Sequence, residues 1–144
     1  QVSPYLNGDR FFVTYGDGVG DIDLDALVAY HRAHGRLATL TGAQARWQYG
    51  IVHADQDGHV SGFEQKPKMD IWINGGFMLF ERAVLDRIAD RDDVHLEREV
   101  LPLLAAEEQL MLFRHTGFWR SMDTFKEAQV LDELWRQEQP WKVW

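Results

Sequence analysis

The stretch Phe11-Phe12-Val13-Thr14-Tyr15-Gly16-Asp17-Gly18 decides how the rest of the chain is read. Five residues suited to a strand run straight into a carboxylate flanked by glycines. In open α/β sheets, ligands sit just beyond the carboxyl ends of the strands. Asp17 falls at such a point, and the glycines on either side let a ligand approach the backbone closely. A carboxylate in that position suits a metal ion or a sugar hydroxyl. The plain alternative is a strand followed by a tight Asp-Gly turn. Because Phe11 to Tyr15 is nearly all apolar, it is expected to be buried on both faces, as in a parallel sheet.

Working outward, Leu24 to His34 places Leu24, Leu27, Val28 and His31 on one helical stripe, with Asp23 able to cap its start and Gly35 its end. Leu37 to Thr41 reads as the next strand, which makes a strand–helix–strand unit and an expected parallel pair. Ile51 to Ala54 and His59 to Phe63 flank Asp57-Gly58, a strong hairpin signal. Ile71 to Phe80 is a long apolar strand broken at Asn74-Gly75-Gly76, where glycines mark a bulge or a close backbone contact. Short helices are expected over Val84 to Ala89 and Glu97 to Glu107, the second with Pro102 near its first turn. A strand over Leu110 to Arg114 and an amphipathic helix over Thr124 to Gln137 complete an α/β pattern, a mixed sheet flanked by helices. Residues 1–144 fit a single domain.

Composition narrows the function classes. A 45% hydrophobic content is enough for a core, and the apolar runs are too short to span a bilayer. The first ten residues lack the basic and apolar regions of a signal peptide, and no initiator Met is present, so the chain is expected to be processed or cut from something longer. The absence of cysteine excludes a disulfide framework, a thiolate zinc site and a cysteine nucleophile, and it suits the cytoplasm. A net charge of −8 argues against nonspecific nucleic-acid binding. It leaves room for a phosphorylated ligand held by a few local cations.

Several chemistries are missing. Ser3, Ser61 and Ser121 are the three serines, and none sits in a G-x-S-x-G elbow. His31 and His34 share a helix face and could ligate a metal, but a solvated pair is the expected reading. Gly16-Asp17-Gly18-Val19-Gly20 matches neither the dinucleotide nor the P-loop spacing. What remains is a set of residues at strand ends: Asp17, Lys66 after the hairpin, Asn74 in the glycine break, and Asp123 after Gly117-Phe118-Trp119-Arg120-Ser121-Met122. Two carboxylates, a lysine and an amide suit a phosphosugar with magnesium. Taken singly, each is mundane: Lys66-Pro67 as an exposed turn, Asn74-Gly75 as a bend.

Taken in order, Thr14-Tyr15-Gly16-Asp17-Gly18, Leu37-Ala38-Thr39-Leu40-Thr41, Lys66-Pro67-Lys68, Trp72-Ile73-Asn74-Gly75-Gly76-Phe77, Glu97-Arg98-Glu99, Gly117-Phe118-Trp119, Met122-Asp123-Thr124 and Pro140-Trp141-Lys142-Val143-Trp144 make a specific set. Over nearly its whole length the chain resembles the glucose-1-phosphate cytidylyltransferases of the sugar-nucleotidyltransferase superfamily. The resemblance implies a partial Rossmann-like nucleotide-diphospho-sugar transferase fold. It also implies transfer of a cytidylyl group from CTP to glucose 1-phosphate, giving CDP-glucose and pyrophosphate, with catalysis by positioning and charge neutralisation. By similarity, Asp17 and Asp123 hold Mg2+, and Lys66 grips the sugar phosphate. Gln65, Asn74 and Gly75, with the backbone at Tyr49 and Gly50, bind the glucose hydroxyls.

Two departures matter. Gln65 stands where the resemblance leads one to expect glutamate, with Glu64 one position earlier and on the opposite face of a regular strand. No match is found for the family's glycine-rich, arginine-bearing nucleotide loop. The chain is therefore expected to carry the sugar-phosphate portion and to be inactive alone. The competing expectations are a non-catalytic sugar-phosphate-binding module and an oligomerisation unit. A homo-oligomer is expected, burying the apolar first strand or the tail around Trp141 and Trp144.

Overall fold

The computed structural model describes residues 5–46, 49–65, 68–88, 91 and 93–143. Lys66, Pro67, Ala89 and Trp144, which carry some of the expectations above, lie outside the described residues. Strands β1 (Arg10–Thr14), β3 (Ala38–Arg46), β6 (Lys68–Glu81) and β7 (Leu110–His115) form the central sheet in the order β1-β6-β3-β7. β6 runs antiparallel to both β1 and β3, and β7 runs parallel to β3. The mixed α/β architecture inferred from the pattern is what the chain adopts. The strand–helix–strand unit differs in one respect. β1 and β3 point the same way, but β6 lies between them, so they are not a pair.

Helix α1 (Leu24–His34) covers one face of this sheet. It begins where the Asp23 side chain accepts the Ala26 N–H at 2.8 Å and ends at Gly35, in the left-handed conformation at φ 64. Leu27 and His31 are its buried residues, and they lie over the face that carries Thr39 and Leu79. The opposite face, with Ala38, Met78 and Phe80, packs against Val84 of a 3-10 turn (Arg82–Arg87), Val100 of a π turn (Leu96–Val100), and Leu101 and Leu104 of α2 (Leu101–Ala106). Pro102 sits in the first turn of α2, where a missing N–H costs nothing.

β1 departs from expectation. It is the edge strand of the described sheet, and only one of its faces is packed. Phe11 and Val13 lie against the core, and the Phe11 ring meets that of Phe80 at 5.6 Å. Phe12, opposite Leu79 on the α1 side, is 50% exposed because α1 does not reach over it. An apolar strand is thus not doubly buried here.

His31 and His34 also differ from a solvated pair. His31 is 1% exposed, with Nδ1 2.7 Å from Thr39 Oγ1 and Nε2 3.1 Å from Glu81 Oε1. His34 Nε2 lies 2.7 Å from the same threonine hydroxyl, and its Nδ1 accepts the Arg36 N–H at 2.9 Å. Burial lowers both imidazoles below their ordinary value of 6.5, and the charges of His31 and Arg36 add to that effect at His34.

Two smaller ladders complete the fold. β2 (Gly18–Gly20) pairs antiparallel with β8 (Trp119–Ser121), and β4 (Gly50–Ala54) with β5 (Val60–Gln65) across Asp57-Gly58. Helix α3 (Phe125–Arg136) opens on a capping box between Thr124 and Glu127. Its apolar stripe is only half covered, and Trp141 stacks on Trp135 and tilts against Phe118 to tie the tail to β8.

Candidate functional site

The carboxyl end of β1 is where the described side chains converge. The Asp17 carbonyl accepts the Met122 N–H at 2.8 Å, and the next residues pair as Gly18 with Ser121 and Gly20 with Trp119. The β2–β8 ladder therefore sets Asp17 and Asp123 at the same end of one small platform. Both are exposed. Asp123 Oδ2 accepts from the Ser121 hydroxyl at 2.7 Å, and its backbone N–H donates to Glu127 at 3.0 Å. At the other end of the ladder, His115 Nε2 lies 3.0 Å from the Phe118 carbonyl and 2.9 Å from Asp21 Oδ1. One N–H serves the carbonyl, so the Asp21 oxygen lies beside the imidazole without a hydrogen bond of its own.

The glycine break of β6 joins this platform. The Trp119 indole N–H donates to the Gly75 carbonyl at 2.8 Å, which couples β8 to β6. Gly76 adopts φ 76, and a Cβ there would fall 2.6 Å from the Tyr15 ring, so only glycine lets that ring lie flat against the bulge. The Tyr15 N–H in turn reaches the Gly76 carbonyl at 3.3 Å. Asn74 is held at both ends of its amide: Oδ1 accepts the Gly76 N–H at 2.9 Å, and Nδ2 donates to the Tyr15 hydroxyl at 2.7 Å. The hydroxyl donates to Glu97 Oε1 at 2.6 Å. Burial and the neighbouring Glu97 carboxylate push the Tyr15 phenol up to about 12, and the same hydrogen bond lowers Glu97.

Of the residues singled out from sequence, Asp17, Asn74, Gly75 and Asp123 belong to this one neighbourhood. Gly50 and Gln65 form a separate pair at the base of the β4–β5 hairpin. The Phe63 ring packs so closely over Gly50 that a side chain there would overlap it, and Tyr49 is 70% exposed beside it. Lys66 lies outside the described residues. Tyr15, Glu97 and Trp119 stood in the quoted motifs without roles, and the structure brings all three to Asn74 and Gly75. A tyrosine at the very end of a strand, just before Gly-Asp, was the available signal for the first.

The exposed oxygens of Asp17 and Asp123 are hard donors of the kind Mg2+ takes. Among the described residues, the group of three potential ligands within 4.8 Å of one another is elsewhere, at Asp55, Asp57 and His59 in the hairpin turn. There Asp55 Oδ1 accepts the Asp57 and His59 N–H groups at 3.0 and 2.9 Å, the ordinary bonding of such a turn. No helix of the described residues is long and apolar enough to cross a membrane.

The chain is also similar to known proteins. The family profile described as nucleotidyl transferase matches residues 2–128. Glucose-1-phosphate cytidylyltransferase of Salmonella typhi is 42% identical over 147 residues, covering 100% of this chain and 56% of that protein. The probable glucose-1-phosphate cytidylyltransferase of Bacillus subtilis is 37% identical, covering 100% of this chain and 57% of its own length. Among solved structures, HddC from Yersinia pseudotuberculosis superposes with a TM-score of 0.66 at 16% identity, over 93% of this chain and 59% of that one. The chain spans little more than half the length of the curated relatives it matches. Its sheet and helices are a Rossmann-like arrangement shared with such proteins.

Proposed function

The chain belongs to the nucleotidyl transferase family, and we propose that it carries the sugar-phosphate side of a glucose-1-phosphate cytidylyltransferase. In that reaction a phosphate oxygen of glucose 1-phosphate attacks the α-phosphorus of CTP. The bond to the β-phosphate breaks, and pyrophosphate leaves with its electron pair. The observation that carries the proposal is the meeting of Asp17, Asp123, Asn74 and Gly75 at the carboxyl end of β1. The whole-chain likeness to the Salmonella protein supports the choice of sugar and base.

In this reading Asp17 and Asp123 hold Mg2+, which neutralises charge on the phosphates when bound. Asn74 and the Gly75 backbone meet glucose hydroxyls, with Gln65, Tyr49 and Gly50 contributing from the hairpin base. Lys66 meets the phosphate. The β2–β8 ladder and the Trp119 indole keep the metal-binding and sugar-binding groups in register, so the chain's own contribution is position rather than covalent chemistry.

Calorimetry tests this directly. The purified chain is titrated with glucose 1-phosphate in magnesium buffer and again with EDTA, and then with CTP. Magnesium-dependent binding of the sugar phosphate is expected, weakened at least about tenfold by Asp123→Asn, with no pyrophosphate released on addition of CTP. Tight sugar-phosphate binding that ignores both EDTA and Asp123→Asn would favour a metal-free binding module. Binding of neither ligand would leave an oligomerisation unit.

A further inference from the structure

Tyr15, on β1, and Glu97, on the π turn before α2, are 82 positions apart, yet the phenol of one donates to the carboxylate of the other at 2.6 Å. The carboxylate is carried on a well-anchored segment: Leu96 packs against the core, Val100 is buried in it, and Glu99 pairs with Arg91. The phenol is also anchored, through its ring on Gly76 and its backbone N–H. Between them they leave Asn74 one orientation. A phenol has a single hydrogen, and Glu97 takes it, so the Tyr15 oxygen can only accept from Asn74. The Gly76 N–H can only donate, so it needs the Asn74 oxygen. Turning the amide over would oppose donor to donor at Gly76 and acceptor to acceptor at Tyr15. Among the described residues no further partner is seen for the second Nδ2–H or for the other lone pair of Oδ1.

We propose that Glu97 and Tyr15 are positioning residues that lock the Asn74 amide in this orientation, so that its remaining N–H and its remaining oxygen lone pair face a sugar hydroxyl as one donor and one acceptor. This rests on the reading of Asn74 as a contact to the sugar. It goes beyond that reading by assigning two residues that never touch the ligand. A hydroxyl both gives and takes a hydrogen bond, so an amide held this way is matched to it. An amide free to flip would have to be ordered when the ligand arrives.

The test separates the sugar from the phosphate. The chain is titrated in magnesium buffer with glucose 1-phosphate and, separately, with inorganic phosphate. Tyr15→Phe, which removes one oxygen, is expected to weaken glucose 1-phosphate about tenfold and to leave inorganic phosphate within about twofold. Glu97→Gln keeps an oxygen to accept the phenol hydrogen and is expected to retain near-parental affinity, whereas Glu97→Ala should behave like Tyr15→Phe. A second readout needs no ligand. The chain has two asparagines, Asn7 and Asn74, and Asn7 is exposed. In an asparagine-labelled sample the Asn74 amide should exchange more slowly than that of Asn7, and Tyr15→Phe should erase the difference. If parental protein binds glucose 1-phosphate and Tyr15→Phe binds it equally well, the lock is overturned while the site reading stands. A parallel loss for both ligands would mark Tyr15 as general support and also overturn it. Failure of the parental chain to bind glucose 1-phosphate would overturn the site reading, and this proposal with it.

Discussion

Two polar networks sit at opposite ends of the same sheet, and they are built differently. At the amino end of β1, a relay runs from the Arg36 N–H to His34, Thr39, His31, Glu81 and Arg10. Its direction follows from chemistry. The Glu81 carboxylate can only accept, so His31 carries its proton on Nε2 and takes the Thr39 hydroxyl hydrogen on Nδ1. The hydroxyl then accepts from His34 Nε2, whose Nδ1 is the acceptor for Arg36. The Thr39 hydroxyl hydrogen and all four ring nitrogens of His31 and His34 are partnered within the protein, beneath α1. At the carboxyl end, the Glu97–Tyr15–Asn74 relay is half open and stops at an amide with a donor and an acceptor in reserve. A closed network belongs to the fold. An open one at a strand end, beside Asp17, has bonds left for a ligand.

The largest expected effect separates the two. Thr39→Val preserves shape but leaves a buried acceptor on His31 and a donor on His34 without partners. At about 1–3 kcal/mol for each such group, a loss of about 2–6 kcal/mol is expected in urea unfolding, toward the lower end because His34 is only half-buried. Tyr15→Phe should cost about 1 kcal/mol or less, because water can reach the exposed Glu97 and replace the lost bond. Equal losses would erase the distinction between a structural and a ligand-facing network.

What the sequence disclosed follows the same division. Local chemistry was legible: Asp23 and Gly35 bound α1, Asp57-Gly58 made the hairpin, and Asn74-Gly75-Gly76 made the bulge, each because a few adjacent residues suffice to determine it. Non-local chemistry was not. Periodicity puts His31 on the apolar stripe of α1, but only the fold supplies Thr39 and Glu81 to satisfy it. Likewise the placement of β6 between β1 and β3 depends on an antiparallel return that begins long after α1 has ended. The apolar character of β1 suggested burial on both faces, whereas Phe12 faces open space beyond the reach of α1. Asp17 and Asn74 could be picked out because turn glycines mark them, and Asp123 because it follows Gly117-Phe118-Trp119-Arg120-Ser121-Met122. Glu97 could not, since nothing local pairs it with Tyr15, 82 positions away.

The two networks should also fail on opposite sides of neutrality. Burial keeps His31 and His34 from protonating near their ordinary 6.5, while in the unfolded chain they protonate freely. The unfolded state therefore binds more protons below that value, and stability is full above about pH 6.5 and falls as the pH drops through it. Tyr15 behaves in the reverse sense. Its phenol is raised from 10.0 to about 12, so its contribution is complete below pH 10 and is lost as the pH rises toward 12. Unfolding curves collected across pH should show an acid limb beginning near pH 6.5 that Thr39→Val reshapes and Tyr15→Phe leaves alone, the loss of the Tyr15 bond showing on the acid side only below the ordinary 4.5 of Glu97. The alkaline limb should respond the other way. Both limbs moving with one substitution would mean that the networks are coupled through the sheet.

The smallest expected effect lies at the outer end of the closed relay. Arg10 meets Glu81 at 2.8 Å with both side chains about one-third exposed, so water screens the pair and about 0.5–1 kcal/mol is the most that Arg10→Gln should remove at neutral pH. Its value is diagnostic. The Arg10 charge is one of the influences that lower His31, after burial, and Glu81 works against both. Removing the guanidinium lets His31 protonate more readily in the native state, which narrows the gap to the unfolded value. The acid limb should therefore become shallower even as neutral stability drops slightly. A uniform loss at every pH, with the acid limb unchanged in slope, would show that a group other than His31 governs that limb. The relay would then be a set of independent hydrogen bonds rather than a connected chain reaching from α1 to the edge strand.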